Sequence, residues 1–236
     1  MRRAAIDWPD RRPFAGRAGP IRFLAVSDSR DPGLEHGDVR AMVGPIDGIL
    51  GCGDLPPTWL GYLADALRVP TVYVRGNHDR GDAWTLGSPH APAWLQTGHV
   101  AQLAGISIGG LEWPGLDDRG NRRQPERAWR PALRLAAWAL VRRFRRRGGP
   151  LLVISHAPPL GLGDAESDPY HVGFPAYRWL VDRLRPPLWL HGHTTTASVA
   201  KLVTTAGPTT LINVTGAVLV ELRPSAPADQ APGQGG

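Results

Sequence analysis

The sequence predicts an α/β domain, and three observations support that class. Short, largely apolar runs of strand length recur at 21–26, 46–51, 71–74, 151–154 and 188–190. Segments with apolar residues at helical spacing lie between and after them, at 57–67, 126–147 and 174–184. Each of the five runs leads into a residue able to ligate a metal ion: Asp28, Asp54, Asn77, His156 and the pair His191/His193. In an open α/β sheet, the carboxyl ends of the strands are where the site is built. Polar groups placed there need partners, so five such strand ends point to one shared site rather than to five separate turn caps.

The elements follow in order. The run 21–26 ends in Ser27-Asp28-Ser29-Arg30, and the run 46–51 leads into Gly51-Cys52-Gly53-Asp54. The segment 57–67 has proline at its start and Trp59, Leu60, Leu63 and Leu67 on one face, which predicts a helix. The run 71–74 precedes Gly76-Asn77-His78-Asp79. Residues 100–103 and 106–109 read as a hairpin around Ala104-Gly105. The stretch 115–124 reads as a loop whose Arg119, Arg122 and Arg123 are solvated charges, with contact to substrate the rarer alternative.

The segment 126–147 reads as a helix in which Trp129, Leu133, Ala137, Leu140, Val141 and Phe144 form one apolar stripe. Its terminal arginines complement the helix dipole, and Gly148-Gly149 stops it. A patch for an acidic partner or a phosphate backbone is the competing reading of those arginines. The run 151–154 leads into Ser155-His156-Ala157-Pro158-Pro159, and 174–184 is a further amphipathic helix preceded by His171. Residue 188–190 is followed by His191-Gly192-His193-Thr194-Thr195. Antiparallel strands at 198–203, 209–213 and 217–222 complete the domain.

Composition narrows the function. The chain of 236 residues suits one sizeable core. The single cysteine, Cys52, excludes an internal disulfide and a cysteine-rich zinc site, and its apolar, glycine-rich setting reads as a small buried residue. The net charge is +6. Half of it belongs to residues 1–19, where five arginines face Asp7 and Asp10, and this segment reads as a flexible basic arm. The arm lacks the apolar core of a signal peptide, and no run reaches membrane-spanning length. The expected location is therefore cytoplasmic, with no membrane partner. Nucleic-acid binding rests only on the arginine clusters, since no DNA-reading motif is present. Residues 20–223 form the domain, and 224–236 read as a disordered tail. Trp8, Trp84, Trp94 and Trp113 fall in expected loops, where they could serve a partner surface. The oligomeric state is not readable.

Gly53-Asp54, Gly76-Asn77-His78-Asp79, His156 and Gly192-His193, in this order, resemble the calcineurin-like metallophosphoesterases, in particular small bacterial members. The resemblance spans roughly 21–222. It implies a four-layer αββα sandwich of two mixed β-sheets flanked by helices, with the last three strands finishing the second sheet. It also implies two metal positions: one held by Asp28, Asp54 and the residues at 30 and 195, the other by Asp54, Asn77, His156 and His193. The family's histidines at 30 and 195 are Arg30 and Thr195 here. The second position thus keeps its ligands, and the first loses both imidazoles.

A nitrogen and oxygen donor set of this kind suits Mn, Zn or Fe, and one ion is expected rather than two. Guanidinium cannot become a ligand, so Arg30 is expected to pair with Asp28, replace the first ion electrostatically and bind substrate phosphate. Asp31, Glu35, His36 and His191 are the rival means of rebuilding the first position; the bland readings are a solvated loop for Glu35 and His36, and a buried or supporting histidine for His191. His78 is the expected proton donor to the leaving group, with Asp79 either orienting it or capping a turn. The expected function is hydrolysis of a small-molecule phosphomonoester or phosphodiester by metal-activated water. The alternative is a non-catalytic descendant that binds a phosphate ligand or a protein partner.

Overall fold

The computed structural model describes residues 1–35, 38–84, 92–116, 123–145, 148–165, 167–195, 199 and 201–225. Among the described residues, eleven strands form two mixed sheets. The first contains β1 (Arg2–Trp8), β2 (Ile21–Ser27), β3 (Gly48–Gly51), β4 (Thr71–Tyr73) and β11 (Gly216–Pro224), in the order β1-β11-β2-β3-β4. The second contains β5 (Val100–Leu103), β6 (Ile106–Leu111), β7 (Leu151–Ser155), β8 (Leu188–His191), β9 (Val203–Ala206) and β10 (Thr209–Asn213), in the order β5-β6-β7-β8-β10-β9. Strands β2, β3 and β4 run parallel, as do β6, β7, β8 and β10. The helices are α1 (Val39–Val43), α2 (Pro57–Leu67), α3 (Trp129–Phe144) and α4 (Pro175–Leu184).

Three hydrophobic layers hold the four structural layers together. Between the sheets, Phe23, Ala25, Leu50 and Val218 of the first meet Ile108, Leu152, Ile154 and Leu190 of the second, all at 1 % exposure or less. Leu24, Val26 and Leu219 turn to the other face and meet Val39 of α1 with Trp59, Leu60 and Leu63 of α2. Val153, Trp189 and Leu211 likewise meet Ala132 and Leu135 of α3 with Tyr177 and Leu180 of α4. Alternate strand residues face opposite sides, so runs buried on both faces read as continuously apolar. That accounts for the unbroken character of 21–26 and 151–154. Helices α2 and α4 both begin with proline at their first position, where no amide partner is lost. Both stop at an arginine in the left-handed conformation, Arg68 and Arg185.

Five expectations about the fold need correction. The segment 1–19 is not a flexible arm along its length, because Arg2–Trp8 forms β1 and pairs in parallel with β11. Its Ala4, Ile6 and Trp8 face the core while Arg3, Ala5 and Asp7 face out, an alternation that the arginines obscure. The last strand does not join the second sheet: β11 lies between β1 and β2 of the first. The strand expected at 198–203 is found at Val203–Ala206, with 196–198 and 200 outside the described residues. The stripe on α3 faces away from the core, which instead receives Pro131, Ala132 and Leu135.

The tryptophans expected in exposed loops are also mostly inside. Trp8, Trp84 and Trp113 are buried, and half-buried Trp94 lies under the Arg75 guanidinium, 4.3 Å from its ring centre. Residues His36, Glu166, Arg119, Arg122, Arg146, Arg147 and 226–236 lie outside the described set.

Candidate metal centre

The parallel strands of both sheets deliver their carboxyl ends to one cleft of about 820 Å³, lined by Asp28, Asp54, Asn77, His78, Trp113, Arg123, Pro169, Tyr170, His171, His193 and Thr195. Asp28 follows β2, Asp54 follows β3, Asn77 and His78 follow β4, His156 follows β7 and His193 follows β8. Asp28, Asp54 and His193 have φ of 60°, 59° and 67°. The left-handed region is uncommon outside glycine, and aspartate and histidine enter it more readily than most residues. Such backbone cost is concentrated at functional sites.

Asp28, Asp54 and His156 bring ligand atoms within 4.8 Å of one another. His156 is fully buried and its Nδ1 donates to the Cys52 carbonyl at 2.8 Å. That bond fixes the tautomer and turns Nε2 toward the cluster, the arrangement metal-binding histidines use. Nε2 lies 2.8 Å from Asn77 Oδ1 and 3.3 Å from Asp54 Oδ2. Asp54 Oδ1 also accepts from the His78 amide at 2.8 Å. Asp28 accepts from the His193 amide at 3.1 and 2.9 Å and from Thr215 Oγ1 at 3.2 Å.

The charges in this cluster depend on each other. Burial alone lowers the pKa of His156, but the carboxylates of Asp54 and Asp28 outweigh it and raise it to about 9. Burial pushes the Asp28 pKa up. Asp54 is desolvated too, yet His156 charge and hydrogen bonding bring its pKa below the ordinary value. Two desolvated carboxylates are therefore held by one imidazolium. A divalent ion in its place would satisfy the same carboxylates and take the Nε2 lone pair, so the donor set fits a divalent metal.

The other candidates divide. Asn77 joins the cluster through His156. His193 stands beside it, with its ring centre 5.0 Å from that of His156 and 4.7 Å from that of Trp113. Its Nε2 donates to the Tyr170 carbonyl at 2.8 Å, and burial lowers its pKa to about 3. The neutral ring thus keeps a lone pair on Nδ1. His191 lies at the end of β8, buried behind the site, where burial lowers its pKa to about 4. Its Nδ1 is 3.2 Å from the Gly192 carbonyl, and it does not line the cleft.

His78 is exposed in the cleft, with Nε2 4.0 Å from Asp54 Oδ2. Asp79 is buried and its Oδ2 accepts from the Asp54 amide (2.9 Å), the Gly76 amide (2.8 Å) and the Tyr73 hydroxyl (2.5 Å). This carboxylate ties together the two loops that present Asp54 and Asn77. Gly53, with φ of 96°, permits the tight exit from β3; a Cβ there would stand 2.5 Å from His156 Nδ1.

The expected pairing of Arg30 with Asp28 does not form. Arg30 binds Glu35 at 3.0 Å with a half-exposed side chain, and it does not line the cleft. Glu35 follows a short turn opened by Asp31, which accepts from the Gly33 amide, so local loop geometry draws the guanidinium outward. Arg123, read from the sequence as a solvated loop charge, does line the cleft. It donates to the Gly173 carbonyl at 2.5 Å, and its guanidinium carbon sits 4.6 Å from the Phe174 ring centre. Trp113 and Tyr170 had no sequence signal beyond aromatic character.

The family model of the calcineurin-like phosphoesterases matches residues 37–196. Among solved structures, a Thermus thermophilus protein is similar at 17 % identity and a TM-score of 0.55, over 84 % of this chain and 90 % of that one. A dimetal phosphatase from Danio rerio is similar at 12 % identity and a TM-score of 0.55, over 84 % and 88 % of the two chains. These likenesses concern the fold. No curated protein matches the chain.

Proposed function

This chain belongs to the calcineurin-like phosphoesterase family, and from that premise we propose that it is a metal-dependent hydrolase of a small phosphomonoester or phosphodiester, working with one divalent ion. The observation that carries the reading is the convergence of Asp28, Asp54 and His156 at the junction of the two sheets. Asp54, Asn77, His156 and His193 would hold Mn, Zn or Fe, with Asp28 beside them. When bound, such an ion would lower the pKa of water to about 7 and polarise a phosphoryl oxygen.

The chain's own residues supply the rest. Arg123 offers forked donors to the phosphate oxygens in place of Arg30. The His78 imidazole, exposed beside Asp54, gives a proton to the leaving oxygen. Buried Trp113, packed on His193, holds that ring against the cleft wall. The first metal position is the weak one: Arg30 is turned away to Glu35 and Thr195 brings a hydroxyl in place of an imidazole. The Danio rerio neighbour is described as dimetal, but 12 % identity does not transfer an ion count.

The same two replacements favour a second reading, a non-catalytic descendant that binds a phosphate ligand. The two readings part on His78, which a binder does not require. Manganese- or zinc-loaded protein should hydrolyse an alkyl phosphomonoester or phosphodiester, whose alkoxide leaving group needs a proton, and His78→Ala should remove most of that turnover while retaining the metal. Phosphate binding without turnover in the loaded parent would select the second reading.

A further inference from the structure

The outer face of α3 is apolar and unshielded. Pro131, Ala132 and Leu135 turn inward, while Trp129, Leu133, Leu140, Val141 and Phe144 are exposed, Phe144 at 80 %. At 3.6 residues per turn these five fall within an arc of about 120° that also holds exposed Arg130, along about 22 Å of helix. Single exposed hydrophobic residues are ordinary, but a contiguous strip marks a contact surface.

The strip borders a groove of about 710 Å³ between α3 and α4. Leu133, Leu140, Trp179 and Leu184 give it apolar walls, and Arg143 and Arg183 add charge. It shares no lining residue with the metal-site cleft. From Arg127 to Gly163 the sequence carries eight arginines and no carboxylate. Neither Arg143 nor Arg183 is ion-paired among the described residues.

These features select the occupant. A second copy laid on this face would oppose arginine to arginine, and like charges across an interface are costly. A lipid surface is flat and leaves a concave groove unfilled. A helix that presents apolar side chains at i, i+3 or i+4, and i+7 fills such a groove, and carboxylates beside those anchors would meet Arg143 and Arg183 as charge-assisted pairs. We propose that the α3–α4 groove docks an acidic amphipathic helix of a partner protein.

The test uses the full chain and a pair of synthetic helical peptides of about 18 residues, with Leu and Phe at i, i+3/i+4 and i+7. One carries Glu at the flanking positions, and its twin carries Lys. Labelled-peptide anisotropy should show saturable binding of the Glu peptide and at least about tenfold weaker binding of the Lys peptide. Leu140→Ser should weaken the Glu peptide by about tenfold or more. The double variant Arg143→Glu, Arg183→Glu should reverse the preference between the twins. All three positions are on the surface, and circular dichroism would verify that the variants fold. Equal binding of both peptides, or of neither, would overturn the proposal. So would concentration-dependent dimerisation abolished by Leu140→Ser, or co-sedimentation with phosphatidylglycerol vesicles in the absence of charge-selective peptide binding.

Discussion

At the scale of the residue, His78 and Asp79 are neighbours with opposite environments. His78 is open to the cleft, whereas Asp79 is 2 % exposed and fully engaged by two amides and a hydroxyl. The expected consequences differ accordingly. His78→Ala should lower kcat by about 10²- to 10⁴-fold, the range of general acid–base catalysis, with bound metal unchanged in elemental analysis. Asp79→Ala leaves three donors without their acceptor in a buried site and should cost about 3 kcal/mol of stability, measured by urea unfolding. If Asp79→Ala retained full stability and lost only turnover, the carboxylate would be acting on His78 and not on the loops. The sequence gives both residues in one motif but not their burial. It cannot separate them, because the partners of Asp79 come from Tyr73 and from the loop after β3. Arg30 is misread for a similar reason: the rival anion, Glu35, is set by a turn whose geometry is not encoded in spacing.

At the scale of the element, the site depends on how closely two loops approach. Gly192 has no room for a side chain, since a Cβ there would collide with Ser27 Oγ and Asp28 Oδ2. Gly192→Ala should therefore displace Asp28 and weaken retention of metal during gel filtration, while far-UV circular dichroism remains that of the parent. Retention equal to the parent would mean that Asp28 is not held where the ion sits. The strand ends that carry the candidate ligands were legible because buried parallel strands give continuous apolar runs and the change to polar residues is abrupt. Strand β1 was not, because its exposed face holds Arg3 and Asp7 and it pairs with a strand over two hundred residues away, as Arg2 with Val218. Helix α3 was legible as a helix but its inward face was not. Small residues, Pro131 and Ala132, let it sit close to the sheet, and the larger apolar stripe is left outside.

At the scale of the whole molecule, the cluster couples metal, charge and stability. With metal removed, His156 has a pKa near 9 against an ordinary value of 6.5. A raised folded pKa means that the folded state binds the extra proton. The resulting stabilisation is complete below about 6.5 and is lost as pH rises through about 9. Chelated protein should thus melt at progressively lower temperature between these values, and His156→Gln should flatten that slope. A chelated melting temperature that rose over the same interval would contradict the charge assignment.

The apolar runs and helical spacings supported only an α/β class; the two sheets were anticipated through the family resemblance that the ordered motifs carry, and the candidate ligands lie at strand ends of both. The placement of β11 within the first sheet was hidden, because strand order in a sheet is decided by packing between distant segments. The same holds for the ion count, which rests on whether Arg30 and Thr195 leave the first position without imidazoles. The most direct test is tightly bound metal per chain, measured by elemental analysis after loading with manganese or zinc and removing the excess. One ion per chain is the predicted result; two ions would contradict the one-ion centre.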